Sequence, residues 1–124
     1  MMYREPLPEN CPPVEAQEIT ATRVVYRLVR SVPPALDDFR SQRAEKPEAF
    51  FNVDECRARG LSVYTERVDC DMPLKLPRFR RHRICIVTLD HGAGRIQQTG
   101  QLSHHTWWPL ADFDILAHCR METP

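Results

Sequence analysis

Two stretches of this chain are apolar on both alternating faces, and that feature limits the folds open to it. Residues 23–30, Arg-Val-Val-Tyr-Arg-Leu-Val-Arg, are β-branched and aromatic apart from Arg27 and the two ends. Residues 82–89 contain Ile84, Cys85, Ile86 and Val87 without a polar break. A β-strand sends successive side chains to opposite faces, so a strand with this composition needs cover on both sides. Both segments are therefore predicted as interior strands of a sheet.

The remaining segments are read against those two strands. Pro6, Pro8, Pro12 and Pro13 make residues 1–21 an N-terminal arm, because proline lacks the donor that a helix interior or central strand uses. Pro33-Pro34 ends the first strand and opens a helix over 34–45, with Leu36, Phe39 and Arg43 on one face. A second helix is expected over 53–59, with Asn52 as cap, Glu55 as capping-box partner and Gly60 as left-handed stop. Leu61, Ser62, Val63 and Tyr64 alternate as a short strand. Residues 68–81 read as a loop, 90–94 as a turn, 95–98 as a hairpin strand, 100–109 as a loop and 114–120 as a strand. The expected fold is α+β: a small mixed, mainly antiparallel sheet with two short helices between the first two strands, in one domain over 22–124.

Composition narrows the function classes. Lys+Arg and Asp+Glu each number 17, so the formal net charge is zero and a globally basic nucleic-acid binder is not indicated. The five cysteines, Cys11, Cys56, Cys70, Cys85 and Cys119, are odd in number and contain no close CxxC pair. With no apolar leader ahead of them, they are expected to be reduced thiols of a cytoplasmic protein. No run approaches the roughly 18 apolar residues of a membrane-spanning helix.

Three features carry possible chemistry. Arg27 lies between Val25 and Val29 on one strand face, where a guanidinium needs an anionic or carbonyl partner. An ion pair with Asp37, Asp38 or Glu55 would satisfy it internally, and a ligand phosphate would satisfy it from outside. Residues 103–109, Ser-His-His-Thr-Trp-Trp-Pro, gather imidazoles, hydroxyls and indoles into one segment. Core packing is expected for at least one of Trp107 and Trp108, while His104 or His105 could serve as a general acid or base. Adjacent histidines in extended chain point in opposite directions, and the other Cys and His residues lack compact ligand spacing, so no metal is expected. The basic run over 75–83 carries Lys75, Arg78, Arg80, Arg81 and Arg83 around Phe79. It would dock nucleic acid only if it were spatially isolated from the acidic residues, and a solvated loop is the favoured reading.

The order Val25-Tyr26-Arg27-Leu28-Val29, a Pro-Asp-Asp-Phe-type helix and Gly60-Leu61-Ser62-Val63-Tyr64 resembles the opening half of the ADP-ribosyltransferase-like superfamily over residues 23–65. The resemblance implies that Arg27 and Ser62 hold NAD, Arg27 at the pyrophosphate and Ser62 at the ribose. Tyr64, Thr106 and Trp107 complete the expected cofactor contacts, Trp107 by stacking, and His104 or His105 assists cleavage of the nicotinamide–ribose bond. A glutamate expected on a late strand has no counterpart here, since Glu122 is almost terminal and residues 97–99 hold no acid. A binding-only version is therefore equally consistent with the pattern. The competing readings are a small protein-interaction module of the inhibitor, antitoxin or immunity type, and a metal-free ribonuclease joining His104 or His105 to the 78–83 patch.

Overall fold

The computed structural model describes residues 2–123. Its strands along the chain are β1 (Gln17–Glu18), β2 (Arg23–Val29), β3 (Leu61–Tyr64), β4 (Arg83–Leu89), β5 (Gly94–Gln98), β6 (His104–Pro109) and β7 (Cys119–Met121). They form a single sheet in the order β1-β5-β6-β3-β2-β4-β7, antiparallel at every pairing, with short helical segments on both sides. The class is α+β.

The two doubly apolar stretches pair with each other, β2 and β4 staying in register from Arg23 opposite Leu89 to Val29 opposite Arg83. Directly paired residues share a face, so Val25, Val29, Val63, Val87, Ile96 and Trp107 all lie on one side of the sheet. That side is the core, closed by Phe39, Phe113 and Ile115, which are all buried. The other side carries Tyr26, Ser62, Tyr64, His104, Thr106 and Trp108. The helical segment from the 3-10 turn Arg67–Cys70 through α3 (Asp71–Leu74) lies over part of this outer side, against β2 and β3.

Several expectations change. The helix expected over 34–45 is a 3-10 turn, Leu36–Phe39, followed by α1 (Gln42–Glu45), with extended backbone at Arg40 and Ser41 between them. Asp38 is one reason for the break. Its carboxylate accepts from the backbone N–H of Ala35 at 3.0 Å and of Arg30 at 2.8 Å, ending β2 and starting the turn together. The second helix is only α2 (Glu55–Ala58), capped by Asp54, whose carboxylate accepts from Arg57 N–H at 2.8 Å. Asn52 is not its cap, and Glu55 is drawn away from a capping box by bridges to Arg43 and Arg59, both at 2.8 Å. Gly60 is not in the left-handed region. A side chain there would collide with Thr106 and lie 3.1 Å from the Trp108 indole nitrogen, so glycine is required by the close approach of the chain to β6.

The segment over 68–81 is mainly helical turns. Residues 104–109, expected as loop, are a strand between β3 and β5. The expected strand over 114–120 is a 3-10 turn, Leu116–His118, leading into β7. The N-terminal arm is tied down along its length: β1 pairs with β5, Tyr3 bridges to Leu110, the Glu5 carboxylate accepts from Ser41, Arg59 donates to Pro6 O, and Cys11 is disulfide-bonded to Cys56. That bond corrects the expectation of five reduced thiols, leaving Cys70, Cys85 and Cys119 free. It also removes the main argument for a cytoplasmic setting, since such bonds persist chiefly in oxidising compartments. Among the described residues no helix is long and apolar enough to cross a membrane.

Cys11 and Cys56 are 45 residues apart, so their bond restricts a large loop of the unfolded chain. The Cys11→Ser, Cys56→Ser double variant should lose about 4 kcal/mol of unfolding free energy, the chain-entropy expectation for such a loop. Urea titrations of the two proteins check this. Wild type treated with a reductant should converge on the variant.

Candidate functional site

β3 lies at the middle of the sheet between β2 and β6, so the three segments singled out in the sequence become neighbours. They do not form the expected pocket. Ser62 pairs with Thr106 and Tyr64 with His104, which places those four side chains on the outer side. Arg27 is adjacent to Tyr26, the partner of Tyr64, and therefore leaves the opposite, inner side. His105 pairs with Val63 and Trp107 with Leu61, so both also face inward.

Among the described residues Arg27 has no carboxylate in ion-pair contact, so the internal pair with Asp37, Asp38 or Glu55 that the sequence offered is not made. Three backbone carbonyls take its guanidinium: Nε donates to Asp38 O at 2.8 Å, Nη1 to Ser62 O at 2.7 Å and Nη2 to Arg40 O at 3.3 Å. The Phe39 ring lies 5.6 Å below it. Burial lowers its pKa to about 10, against the opposing pull of the Asp38 carboxylate, so it remains a cation at neutral pH. A guanidinium has five donors, and three bonds leave two for another acceptor.

Trp107 is fully buried, with its indole N–H donating to Ala93 O at 2.9 Å and its ring edge-on to Phe113. Trp108 is buried on the outer side, where its N–H donates to Cys56 O at 2.9 Å. Neither indole presents a face to a ligand, so the expected stacking role of Trp107 gives way to core packing.

The outer side holds a connected polar group. His104 Nδ1 lies 2.9 Å from Thr99 O, and a carbonyl only accepts, so the proton is on Nδ1 and Nε2 carries the lone pair. Thr99 Oγ1 lies 2.7 Å from Thr106 Oγ1, and the Tyr64 ring meets His104 edge-on at 5.3 Å. Burial, reinforced by nearby Arg57, lowers the His104 pKa below its usual 6.5 despite the Thr99 carbonyl, so the ring is neutral at pH 7.

Arg57 is the residue that sequence reasoning missed. It is half-buried on α2, and a Cβ at Gly100 would sit 3.0 Å from its Nη2 and 3.3 Å from His104 Nδ1, which locates the guanidinium beside the imidazole. Among the described residues it has no carboxylate partner. Its position in the α2 turn carries no sequence signal of its own.

The group can attract an anion through Arg57, hydrogen-bond it through Ser62 and accept a proton at His104 Nε2. It lies on an open surface. A cleft of about 30 Å³ is present elsewhere, formed by Tyr3, Glu18, His91 and Arg95 beneath the N-terminal arm. Comparison with protein-family models, curated proteins and solved structures finds no match.

Arg27→Met should lower unfolding free energy by about 3 kcal/mol, because it strips charge-assisted donors from part-buried carbonyls. Chemical denaturation measures this. A second expectation concerns pH. The unfolded chain binds a proton at His104 more readily than the folded chain, so stability is complete above pH 6.5 and declines as pH falls below it. His82, also lowered by burial, adds to the decline. His104→Asn should therefore flatten, without abolishing, the loss between pH 7.5 and pH 5 in urea titrations.

Proposed function

We propose that this chain binds a nucleotide of the NAD class on the outer side of β3 and β6, as the ADP-ribosyltransferase-like resemblance implies. The observation that carries the reading is the unpaired Arg57 guanidinium beside His104, on the face that also carries the exposed Ser62. An uncompensated cation next to a hydroxyl and an imidazole suits an anionic occupant. Ser62 hydrogen-bonds the sugar, Arg57 takes a phosphate oxygen and Tyr64 offers the aromatic surface that Trp107 cannot. Arg27, on the inner side, acts by fixing the Ser62 carbonyl.

Breaking the nicotinamide–ribose bond would require stabilisation of developing positive charge on the ribose, for which a carboxylate is the usual device. Thr106 stands opposite Ser62 on the late strand. The reading is therefore of binding first, with His104 Nε2 as the group that would take a proton from an acceptor if transfer occurs. A second reading, the protein-interaction module, draws on Phe50, Val68 and Met72, which stand 94%, 65% and 68% exposed.

Isothermal titration with NAD and ADP-ribose tests the proposal. Binding should weaken by at least about tenfold in Arg57→Ala and by a few-fold in Ser62→Ala, the loss of a charge-assisted and of a neutral hydrogen bond respectively. Absence of binding at millimolar nucleotide would overturn it, and recovery of a stoichiometric protein complex under those conditions would favour the interaction module.

A further inference from the structure

The cations of the basic run over 75–83, Lys75, Arg78, Arg80, Arg81 and Arg83, are all exposed and make no ion pair among the described residues. Four cations elsewhere in the chain are paired, Arg30 with Glu45, Arg43 and Arg59 with Glu55, and Arg67 with Asp71 and Glu122, while the others, Arg57 among them, are scattered along the sequence. No acidic residue occurs between Asp71 and Asp90. A chain of zero net charge thus presents five uncompensated cations in nine residues.

The run is also held by local turn hydrogen bonds. Pro77 opens the 3-10 turn Pro77–Phe79, Phe79 N–H donates to Leu76 O at 2.9 Å, and His82 N–H donates to Phe79 O at 2.8 Å. The Arg78 guanidinium stacks over the Phe79 ring at 4.8 Å, with His82 edge-on at 4.9 Å. A half-buried aromatic ring flanked by guanidiniums provides a stacking face for an unpaired base and charge for its phosphates.

We infer that the 75–83 run binds a single strand of nucleic acid, independently of the nucleotide proposed above. A single strand is favoured over a duplex because no protruding helix or β-ribbon is present here to enter a major groove, whereas planar groups for stacking are. The phosphates lie along Arg78, Arg80, Arg81 and Arg83, and a base stacks on the Arg78 guanidinium where it covers Phe79.

Fluorescence anisotropy with labelled U12, dT12 and a 12-base-pair duplex, over a salt series, tests this. Each single strand should bind at least about tenfold more tightly than the duplex at 50 mM salt. The variant Arg78→Ala, Arg80→Ala, Arg81→Ala, Arg83→Ala, with its far-UV spectrum unchanged, should weaken binding at least about 100-fold and flatten the log–log salt slope by about 2 to 3, the release expected from four phosphate contacts. Arg78→Lys keeps the charge and loses the plane. It should weaken binding several-fold with the slope intact. The inference fails if no oligonucleotide binds at 50 mM salt, if the quadruple variant binds as wild type does, or if phosphatidylserine vesicles or poly-glutamate are held as tightly as U12. Loss of oligonucleotide binding in the quadruple variant with NAD binding retained would separate this surface from the nucleotide site.

Discussion

The sheet depends on how Arg27 joins its two parts. The run β1-β5-β6-β3 and the run β2-β4-β7 meet at a single register pair, Tyr26 with Tyr64. Beyond that pair the Arg27 guanidinium supplies the connection, reaching β3 through Ser62 O and the turn after β2 through Asp38 O and Arg40 O. Carbonyl dipoles solvate the charge without cancelling it. The nearby Asp38 carboxylate is held below its ordinary pKa because the backbone donors of Ala35 and Arg30 outweigh its burial, so it stabilises the guanidinium through space. A neutral side chain at this position would remove the bridge, and a carboxylate partner would remove the positive potential.

The extent to which this was legible follows from periodicity. β2 and β4 are recognised because they are apolar on both alternating faces, and β3 because its apolar residues fall at a period of two. β6 is not, because His104, His105 and Thr106 interrupt the pattern and proline closes it. Its identity as a strand is imposed by partners on both sides, β3 and β5, and by Gly60, whose missing side chain lets the chain after α2 lie against Thr106 and Trp108. Tertiary pairing overrode composition. β1 consists of two residues with no pattern at all, and only its partner strand defines it.

The site was legible in part for the same reason. Ser62, Tyr64, His104 and Thr106 are alternate residues of two adjacent strands, so one correct strand assignment would have grouped them and excluded Trp107 and His105 from the group. Arg57 could not be found that way, since nothing in a four-residue helix distinguishes a guanidinium that points to solvent from one that folds back onto a histidine. The Cys11–Cys56 bond was equally hidden. Five cysteines with wide spacing leave the pairing open, and proximity arises only once the arm has run back across the sheet.

Net charge misled where local charge did not. The balance of acidic and basic residues argued against a polyanion surface, but a carboxylate neutralises only what it can approach, within about a Debye length of roughly 8 to 10 Å. Here acids serve as a turn clasp at Asp38, a helix cap at Asp54, a double bridge at Glu55, a ligand for the Ser103 N–H at Asp69 and a partner to Arg67 at Glu122. Among the described residues those tasks leave no carboxylate in ion-pair contact with the cations of residues 75–83. The positive field over that segment is therefore a consequence of how the fold uses its carboxylates, and a sum over the sequence has no means of registering it.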